Sequence, residues 1–336
     1  MTTVQAKNRK SNSAIVMFFL NNKALLLMLL IAAIALISTG GRFGRIQNID
    51  NVTRQVSVLA IVGVGYTIIS AGGLLDLSVG EAISLAVVTY GTLNKIAPIW
   101  VSMLAAIAAG AITGAVNGFM IRRFKLPPFV LTLATGQVFK GIAHIITNGA
   151  SILQKNETVK FIGQGRLFGF LPFPFIIAVI MMLLVAILLN KTLYGRHLLA
   201  AGGNAEAANV SGIRVNKVKI SAHVIAGAIY GVAAIVLTGR VGNAIPTAGD
   251  GYMMDAISAV VIGGTPMHGG KAKVVGTLFG VLLIGIMNNM LNLLRVDTFY
   301  QWIFKGIILI AAILLDGMTE AVMAKQRVAI QTISKQ

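Results

Sequence analysis

The chain has 336 residues, of which 56% are hydrophobic and only 11% are charged. Soluble domains carry about 25% charged residues, so this composition excludes a water-soluble globular protein and indicates a polytopic membrane protein. The net charge of +18 does not indicate a nucleic-acid partner, because the basic residues are dispersed among the loops between apolar runs. The absence of cysteine excludes disulfides, thiolate metal ligands and a cysteine nucleophile.

Long apolar runs follow one another along the whole chain, with no polar stretch long enough to form a separate soluble core. The segment near Met253 is short and soon reaches Gly263-Gly264, as a broken or re-entrant helix would. The pattern therefore predicts an all-α fold with one membrane domain. About ten membrane-spanning helices are expected, beginning near Ala24, Val56, Val79, Pro98, Pro128, Pro172, Lys219, Met253, Val274 and Tyr300.

The distribution of basic residues predicts the orientation of the chain in the membrane. Lys7, Arg9 and Lys10 precede the first apolar run, but no small-x-small cleavage motif follows it, so we interpret this run as a retained helix. Lysine and arginine are about twice as frequent on the N-terminal side of the membrane as on the other side. We expect a cytoplasmic segment 1–23, a membrane domain 24–318 with a cytoplasmic loop 191–220, and a cytoplasmic tail 319–336.

The first unusual motif is a break in the apolar pattern at Gly72–Glu81, which contains two glycines, a hydroxyl and two carboxylates. The backbone groups freed by such a break cannot face lipid. A helix that restarts near Ser78 would present a donor-rich N-terminus to a polar solute, which makes Asp76, Ser78 and Glu81 candidates for a pathway or gate. An ordinary loop with an Asp or Ser helix cap is the alternative.

A polar stripe occurs in the predicted helix that begins near Pro128. Gln137, Lys140 and His144 are spaced by three and four residues, which places them on one helical face. Charge inside a membrane span must face a cavity or another helix, so Gln137 and Lys140 are pathway candidates. The alternative is that Lys140 and His144 lie near the membrane surface and extend to water.

The loop 191–220 is basic and contains a short predicted helix. Asn204 is a good N-cap, Glu206 lies in the first turn, and Gly212 suits the left-handed position after the helix. The small side chains of Ala207 and Ala208 would let another protein approach closely. The motif predicts a docking helix, and a plain surface helix is the alternative.

A second break, Gly263–Gly270, lies between later apolar runs, and the two breaks suggest two internal repeats. Asp255 precedes this break, and Asn288 and Asn292 lie one turn apart in the following run. Their amides suit a hydroxylated solute, and also suit helix-to-helix contacts. Lys305, in the last run, requires a partner, for which Asp255 is only a distant candidate.

The sequence contains no catalytic motif. A G-x-x-x-x-G-K-[ST] loop is missing, so the chain is not expected to bind or hydrolyse ATP. No cluster of metal-ligating residues and no nucleophile elbow occurs either. We therefore predict no catalytic residue, metal or cofactor on this chain.

Five ordered blocks resemble the permease subunits of bacterial ATP-binding cassette sugar importers of the ribose, galactose and xylose type, within the branched-chain permease superfamily. Three further segments, 215–220, 246–249 and 288–294, are most similar to the ribose-type members. The chain departs from the family pattern at Leu74-Leu75 and at Arg295, where a glycine is common. The five blocks are Asp76–Gly80, Pro128–Thr135, Tyr194–Arg196, Gly202–Ala208 with Ser211–Ile213, and Asp255–Thr265.

The resemblance implies import of a monosaccharide, ribose or a related simple sugar, across the bacterial inner membrane. It implies a second copy of the chain, a cytoplasmic ATPase subunit that holds ATP and Mg, and a periplasmic or lipid-anchored sugar-binding protein, besides membrane lipids. It also implies that Asn204, Glu206, Ala207, Ala208 and Gly212 couple the chain to the ATPase.

Other functions remain open. An ion-coupled secondary transporter would use Glu81, Asp255 or Lys140 as its coupling group. A permease of the same family could carry another substrate, such as a sugar-like signalling molecule or a nucleoside. A membrane enzyme acting on a lipid-linked substrate is disfavoured by the missing catalytic motifs.

Overall fold

The computed structural model describes residues 23–311 together with residues 313, 314 and 317. The basic residues before Lys23 and the predicted tail 319–336 lie outside the described residues. The described chain is almost entirely helical, as the apolar runs predict. Its helices are α1 (Lys23–Ser38), α2 (Ile46–Ala71), α3 (Val79–Leu93), α4 (Ile99–Phe124), α5 (Pro128–Thr147), α6 (Glu157–Gln164), α7 (Phe173–Lys191), α8 (Leu193–Gly203), α9 (Ala205–Val210), α10 (Val215–Val241), α11 (Tyr252–Ile262), α12 (Val274–Leu293) and α13 (Thr298–Ala311).

Six of the described helices, α2, α4, α5, α7, α10 and α12, are long and apolar enough to cross a membrane. Four shorter apolar helices, α1, α3, α11 and α13, accompany them. Together they match the ten predicted spans, and most begin within four residues of the predicted start. The exception is α2, which begins at Ile46 and not near Val56.

The early start of α2 has a physical reason. Its first turns carry Asn48, Asp50 and Arg54, which end the apolar run but find partners within the fold. Asn48 exchanges two hydrogen bonds of 2.9 Å with Asn289, and Arg54 forms an ion pair of 2.8 Å with Asp50. Hydrophobicity alone cannot locate the start of a helix whose first turns are polar, when their polar side chains pair with each other or with a distant helix.

The bundle is built around α2 and α10, which are the most buried of the long helices together with α12. The helices α4 and α7 lie at the periphery, where most of their side chains are accessible. Side chains that face lipid must be apolar, because lipid offers no hydrogen-bond partner. The sequences of the peripheral helices are therefore nearly uniform apolar runs.

The most extensive packing between described helices joins α4 to α10, and glycines bring their backbones together. A Cβ atom on Gly110 would lie 2.1 Å from the carbonyl oxygen of Gly227, and one on Gly227 would lie 2.1 Å from that of Gly110. A Cβ atom on Gly114 would lie 2.0 Å from the carbonyl oxygen of His223. Small residues allow such backbone contact, which is the main source of helix association in lipid.

Short elements cover one end of the bundle. Strands β1 (Ile152–Leu153) and β4 (Asn243–Ala244) pair antiparallel, as do β2 (Arg166–Leu167) and β3 (Leu171–Pro172). Asn156 caps α6 by accepting a hydrogen bond from the backbone of Thr158. The sequence pattern did not predict these strands, because two-residue pairs leave no periodic signal.

Two sets of helices repeat the same order of lengths. The set α2, α3, α4 runs long, short, long, and so does the set α10, α11, α12. The two breaks do not occupy equivalent places in that order, because the first separates α2 from α3 and the second separates α11 from α12. The order of helix lengths therefore supports two internal repeats. The two breaks, however, are not at equivalent positions in those repeats.

Candidate coupling and translocation site

The loop between α7 and α10 forms the two short helices α8 and α9 at one end of the bundle, which we call the coupling side. Thr192 caps α8 by accepting a hydrogen bond of 3.1 Å from the backbone of Gly195. Asn204 caps α9 by accepting one of 3.0 Å from the backbone of Ala207. Gly212 has a φ of +85°, so the predicted N-cap and the predicted left-handed glycine are both confirmed.

The exposed surface of α9 differs in one respect from the prediction. Glu206 and Ala207 are exposed, but Ala208 is only 5% exposed and packs with Ala201 and Val215. Ala208 therefore anchors α9 to the bundle and cannot contact a partner on the outside. Val210, the last residue of α9, is 91% exposed, a feature that the sequence analysis missed although an apolar residue within a polar loop was its signal.

Tyr194 fastens α8 to the start of α10. Its hydroxyl donates to the carbonyl oxygen of Val218 at 3.4 Å and accepts from the hydroxyl of Ser221 at 3.2 Å. Burial raises the pKa of the Tyr194 phenol above its usual value, and the hydrogen bond from Ser221 opposes that shift. The phenol thus stays neutral and hydrogen-bonded, and it links the loop to the central helix.

The loop and both breaks meet at one point, which we call the glycine junction and define as Gly72-Gly73, Gly202-Gly203 and Gly269-Gly270. A Cβ atom on Gly202 would lie 2.2 Å from the carbonyl oxygen of Ala71 and 2.8 Å from the nitrogen of Gly270. A Cβ atom on Gly269 would lie 2.5 Å from the nitrogen of Gly73. Three segments that are distant in sequence therefore touch backbone to backbone.

Hydrogen bonds reinforce the glycine junction. The nitrogen of Gly270 donates to the carbonyl oxygen of Ala71 at 3.1 Å. The Ser70 hydroxyl donates to the carbonyl oxygen of Pro266 at 2.9 Å. Since α8 ends at Gly203 and α9 begins two residues later, only a short stretch of backbone separates α9 from the glycine junction.

The first break, residues 72–78, is held by a chain of buried side-chain hydrogen bonds. Asp76 accepts from the Ser78 hydroxyl at 2.6 Å and from the Ser78 nitrogen at 2.9 Å. The amide of Asn117, on α4, donates to the Ser78 hydroxyl at 2.7 Å and accepts from Thr135, on α5, at 2.6 Å. Asp76 and Ser78, which were predicted as pathway or gate residues, are 3% and 1% exposed in this structure and belong to the network that holds the break.

The second break, residues 263–273, depends mainly on backbone contacts. The Thr265 hydroxyl accepts from the nitrogen of Lys273 at 2.9 Å. A Cβ atom on Gly276 would lie 1.9 Å from the carbonyl oxygen of Gly263, which places α12 directly against the end of α11. The side-chain hydrogen bonds from the Lys273 nitrogen to Thr265 and from Ser70 to Pro266 are not linked to each other, whereas those of the first break form a chain.

The N-terminal ends of the short helices α3 and α11 approach each other. The nitrogen of Gly249, just before α11, donates to the Ser84 hydroxyl of α3 at 2.9 Å. A Cβ atom on Gly249 would lie 1.8 Å from the carbonyl oxygen of Gly80. Two positive helix ends are thereby directed to one region, which favours polar or partly negative groups there.

Charged residues gather beside these helix ends. Lys140, on α5, forms an ion pair of 3.4 Å with Asp250, and both remain partly exposed. Glu81 interacts electrostatically with both of them, and its Oε2 atom is buried without a hydrogen-bond partner among the described residues. Gln137 is exposed on α5 one turn before Lys140. The structure thus groups three predicted pathway residues with Asp250, which the sequence analysis missed.

Asp255 has a different setting. Lys305, on α13, forms an ion pair of 2.8 Å with Asp255, and the amide of Asn288 donates to the same carboxylate at 3.2 Å. Asp255 was thus the partner that Lys305 required. The group joins α11, α12 and α13, and its side chains are mostly buried, so it fixes helix positions within the bundle.

The asparagines of α12 divide into two groups. Asn289 pairs with Asn48 inside the bundle, as described above. Asn292 accepts a hydrogen bond of 2.9 Å from Gln301 in an exposed position. Asn288 and Asn292 were pathway or gate candidates, with helix-to-helix contacts as the alternative; the structure places Asn288 inside the bundle and Asn292 at its surface.

These features describe a polytopic membrane protein with broken helices and a helical loop on one side, as in membrane permeases. Residues 48–313 match the family described as "Branched-chain amino acid transport system / permease component". The chain is 40% identical over 278 residues to the ribose import permease protein of Bacillus subtilis, which covers 82% of this chain and 86% of the relative. It is 39% identical over 293 residues to the ribose import permease protein of Escherichia coli K12, covering 84% and 90%.

A third relative extends the comparison to another sugar. The chain is 34% identical over 275 residues to the L-arabinose transport system permease protein of Escherichia coli K12, covering 82% of this chain and 84% of the relative. No solved structure matches the chain. The chain therefore belongs to the branched-chain amino acid transport system permease family, as the resemblance predicted.

Proposed function

We propose that this chain is the membrane-spanning subunit of an ATP-binding cassette importer that carries ribose or a related monosaccharide across the bacterial inner membrane into the cytoplasm. Two copies would form the path, a cytoplasmic ATPase subunit would hold ATP and Mg, and an external binding protein would deliver the sugar. The observation that carries this proposal is the identity of 34–40% to import permeases for ribose and L-arabinose over more than four fifths of the chain.

The geometry of the coupling side supports energy supply by a separate subunit. The helix α9 stands out from the bundle with Glu206 and Val210 exposed, while Ala208 anchors it. Protein interfaces combine an apolar core with a polar rim, so the exposed Val210 suits the core of an interface and Glu206 its rim. Because the loop base meets both breaks at the glycine junction, a force on α9 would be transmitted to the segments that interrupt the membrane helices.

The charge cluster supports a sugar substrate. Glu81, Gln137, Lys140 and Asp250 offer donors and acceptors beside two helix ends, and such groups suit the hydroxyls of a neutral sugar. The cluster contains both signs of charge, and a single uncompensated carboxylate would better suit a coupling cation. We propose that these four residues line the path.

The proposal is tested by reconstituting the chain with its ATPase and binding protein in proteoliposomes and measuring uptake of radiolabelled ribose. We expect uptake that requires ATP and continues when ionophores collapse the ion gradients. L-arabinose, D-xylose and uridine serve as competing substrates. Uptake that needs no ATPase and stops with the ionophores would instead show a secondary transporter, and inhibition by uridine alone would indicate a nucleoside permease.

The docking role of α9 is tested by Gly212→Arg. We expect the variant to remain in the membrane, to lose co-purification of the ATPase and to lower uptake at least tenfold, because a large charged side chain projecting from this surface would keep the ATPase from close approach. Gly149→Arg is the matched control, since Gly149 also has a positive φ, +72°, and open space around it, at the far end of α5. Wild-type ATPase binding in Gly212→Arg would contradict the docking role.

A further inference from the structure

Two basic side chains face each other on the coupling side, where α4 ends and α10 begins. As the glycine contacts advance along α4 they step back along α10, so the two helices are antiparallel. A Cβ atom on Gly118 would lie 3.1 Å from the Cβ atom of His223. Arg122 follows Gly118 by one turn of α4, and Lys219 precedes His223 by one turn of α10. Both steps lead from the close contact toward the coupling side, so Arg122 and Lys219 lie opposite each other.

Both side chains are withdrawn from water without an acidic partner. Lys219 is only 7% exposed. The Nε atom of Arg122 is buried and has no hydrogen-bond partner among the described residues. The two cations interact electrostatically, and within the described chain no carboxylate forms an ion pair with either of them. Because like charges repel more strongly where water is excluded, the pair destabilises this contact unless an anion joins it.

The neighbouring groups do not supply that anion. The Nδ1 atom of His223 donates to the carbonyl oxygen of Lys219 at 3.0 Å, since a carbonyl oxygen can only accept. Asp76 interacts electrostatically with His223, but its carboxylate is bonded to Ser78 in the first break. An anion that bridges Arg122 and Lys219 therefore comes from outside the described chain.

We propose that Arg122 and Lys219 form a binding site for a phosphate group. A guanidinium donates two parallel hydrogen bonds to a phosphate, and the ammonium group supplies a second positive charge. Arg122 is partly exposed, so the phosphate reaches it from the surface without opening the bundle. The headgroup of an anionic phospholipid and dissolved phosphate share this chemistry. Either one would cancel the repulsion and hold the start of α10, which continues the coupling loop, against α4.

The test measures thermal unfolding of the purified, delipidated full chain in detergent and does not depend on the transported substrate. One arm replaces chloride with inorganic phosphate at constant ionic strength. The other compares phosphatidylglycerol with phosphatidylcholine of the same acyl chains. In at least one arm we expect saturable stabilisation of the wild type, with an apparent affinity that falls on the order of tenfold in Arg122→Gln and in Lys219→Met. Stabilisation by phosphatidylglycerol alone assigns the site to lipid, and stabilisation by inorganic phosphate assigns it to the free anion.

The matched controls are Arg123→Gln and Lys217→Gln, which remove the same charge from exposed positions close to the pair in sequence. They should keep the wild-type affinity within about twofold, because exposed charges are screened by solvent and salt. All four variants should keep the elution volume and helicity of the wild type. The proposal is overturned if neither arm stabilises the wild type, if Arg122→Gln and Lys219→Met respond as the wild type does, or if the controls lose as much affinity.

Discussion

The two breaks are built in different ways. In the first, the buried side chains of Asp76, Ser78, Asn117 and Thr135 form a hydrogen-bonded chain that ties the break to α4 and α5. In the second, the Thr265 hydroxyl accepts from the nitrogen of Lys273 and the Ser70 hydroxyl donates to the carbonyl oxygen of Pro266, while glycine backbones supply much of the remaining contact. Both breaks touch the loop through the glycine junction.

The difference indicates which break is the fixed element. A buried network with every member satisfied resists displacement, because each broken bond would leave a polar group in an apolar surrounding. The second break is joined to α2 by separate hydrogen bonds, from Ser70 to Pro266 and from Gly270 to Ala71, and by glycine contacts. Because these bonds do not form a connected network, the segment can slide or rotate at lower cost. We infer that the first break holds its position while the second moves with the coupling loop.

The largest effect is expected where the loop meets both breaks. Gly202→Ala would place a methyl group 2.2 Å from the backbone of Ala71, and Gly203→Ala would place one 3.5 Å from Gly270. We expect Gly202→Ala to lower the free energy of unfolding by about 3 kcal/mol and to abolish uptake, and Gly203→Ala to have a small effect. Thermal unfolding in detergent and the uptake assay check this, and equal behaviour of the two variants would refute the close contact.

The next effect concerns α11, which leads into the second break. Lys305→Met leaves Asp255 buried without its cation and is expected to lower stability by about 2 kcal/mol, less than for a fully buried pair because both side chains keep some access to solvent. The double variant Asp255→Asn/Lys305→Met should recover part of the loss. Additive losses in that double-mutant cycle would show that the pair does not join α11 to α13.

The network at the first break is tested by Asn117→Ala. Loss of the amide removes the bonds to Ser78 and Thr135 and is expected to lower stability by about 1 to 2 kcal/mol. Asn190→Ala is the matched control, because Asn190 is exposed and bonds only to its own helix. A variant Asn117→Ala as stable as Asn190→Ala would remove the distinction between the two breaks.

The smallest effect is expected at the second break. Thr265→Val keeps the shape of the side chain and removes one hydrogen bond, which should lower stability by about 0.5 to 1 kcal/mol. Thr53→Val is its control, since the Thr53 hydroxyl bonds only within α2. If Thr265→Val destabilises more than Asn117→Ala, the second break is the more firmly held of the two.

The helices, the breaks and the caps of α9 could be predicted because they depend on local sequence. Apolar runs define most helix bounds within a few residues, and Asn204 and Gly212 act on their own neighbours. Arg295, noted as a departure from a glycine, has a φ of +57° just after α12, which explains why glycine is favoured there.

Contacts between distant segments could not be predicted in this way. The pairing of Asp255 with Lys305 and of Lys140 with Asp250 depends on how helices are arranged, and neither partner carries a local signal of the other. The inward position of Ala208 depends on α10, and the meeting of three glycine pairs depends on the whole bundle. Side chains that the sequence analysis selected as pathway or gate candidates therefore separate into a network, an ion pair and a partly exposed cluster.

The account is tested most directly by distances between spin labels in the complex with the ATPase. The chain has no cysteine, so labels can be placed at Asn209→Cys on α9, Lys271→Cys in the second break and Lys125→Cys after α4, all of them exposed. Between the nucleotide-free and ATP-bound states, we predict that the distance from 209 to 271 stays constant while that from 125 to 271 changes by several ångström. A change between 209 and 271 with a constant distance from 125 to 271 would contradict movement of the loop and the second break as one unit.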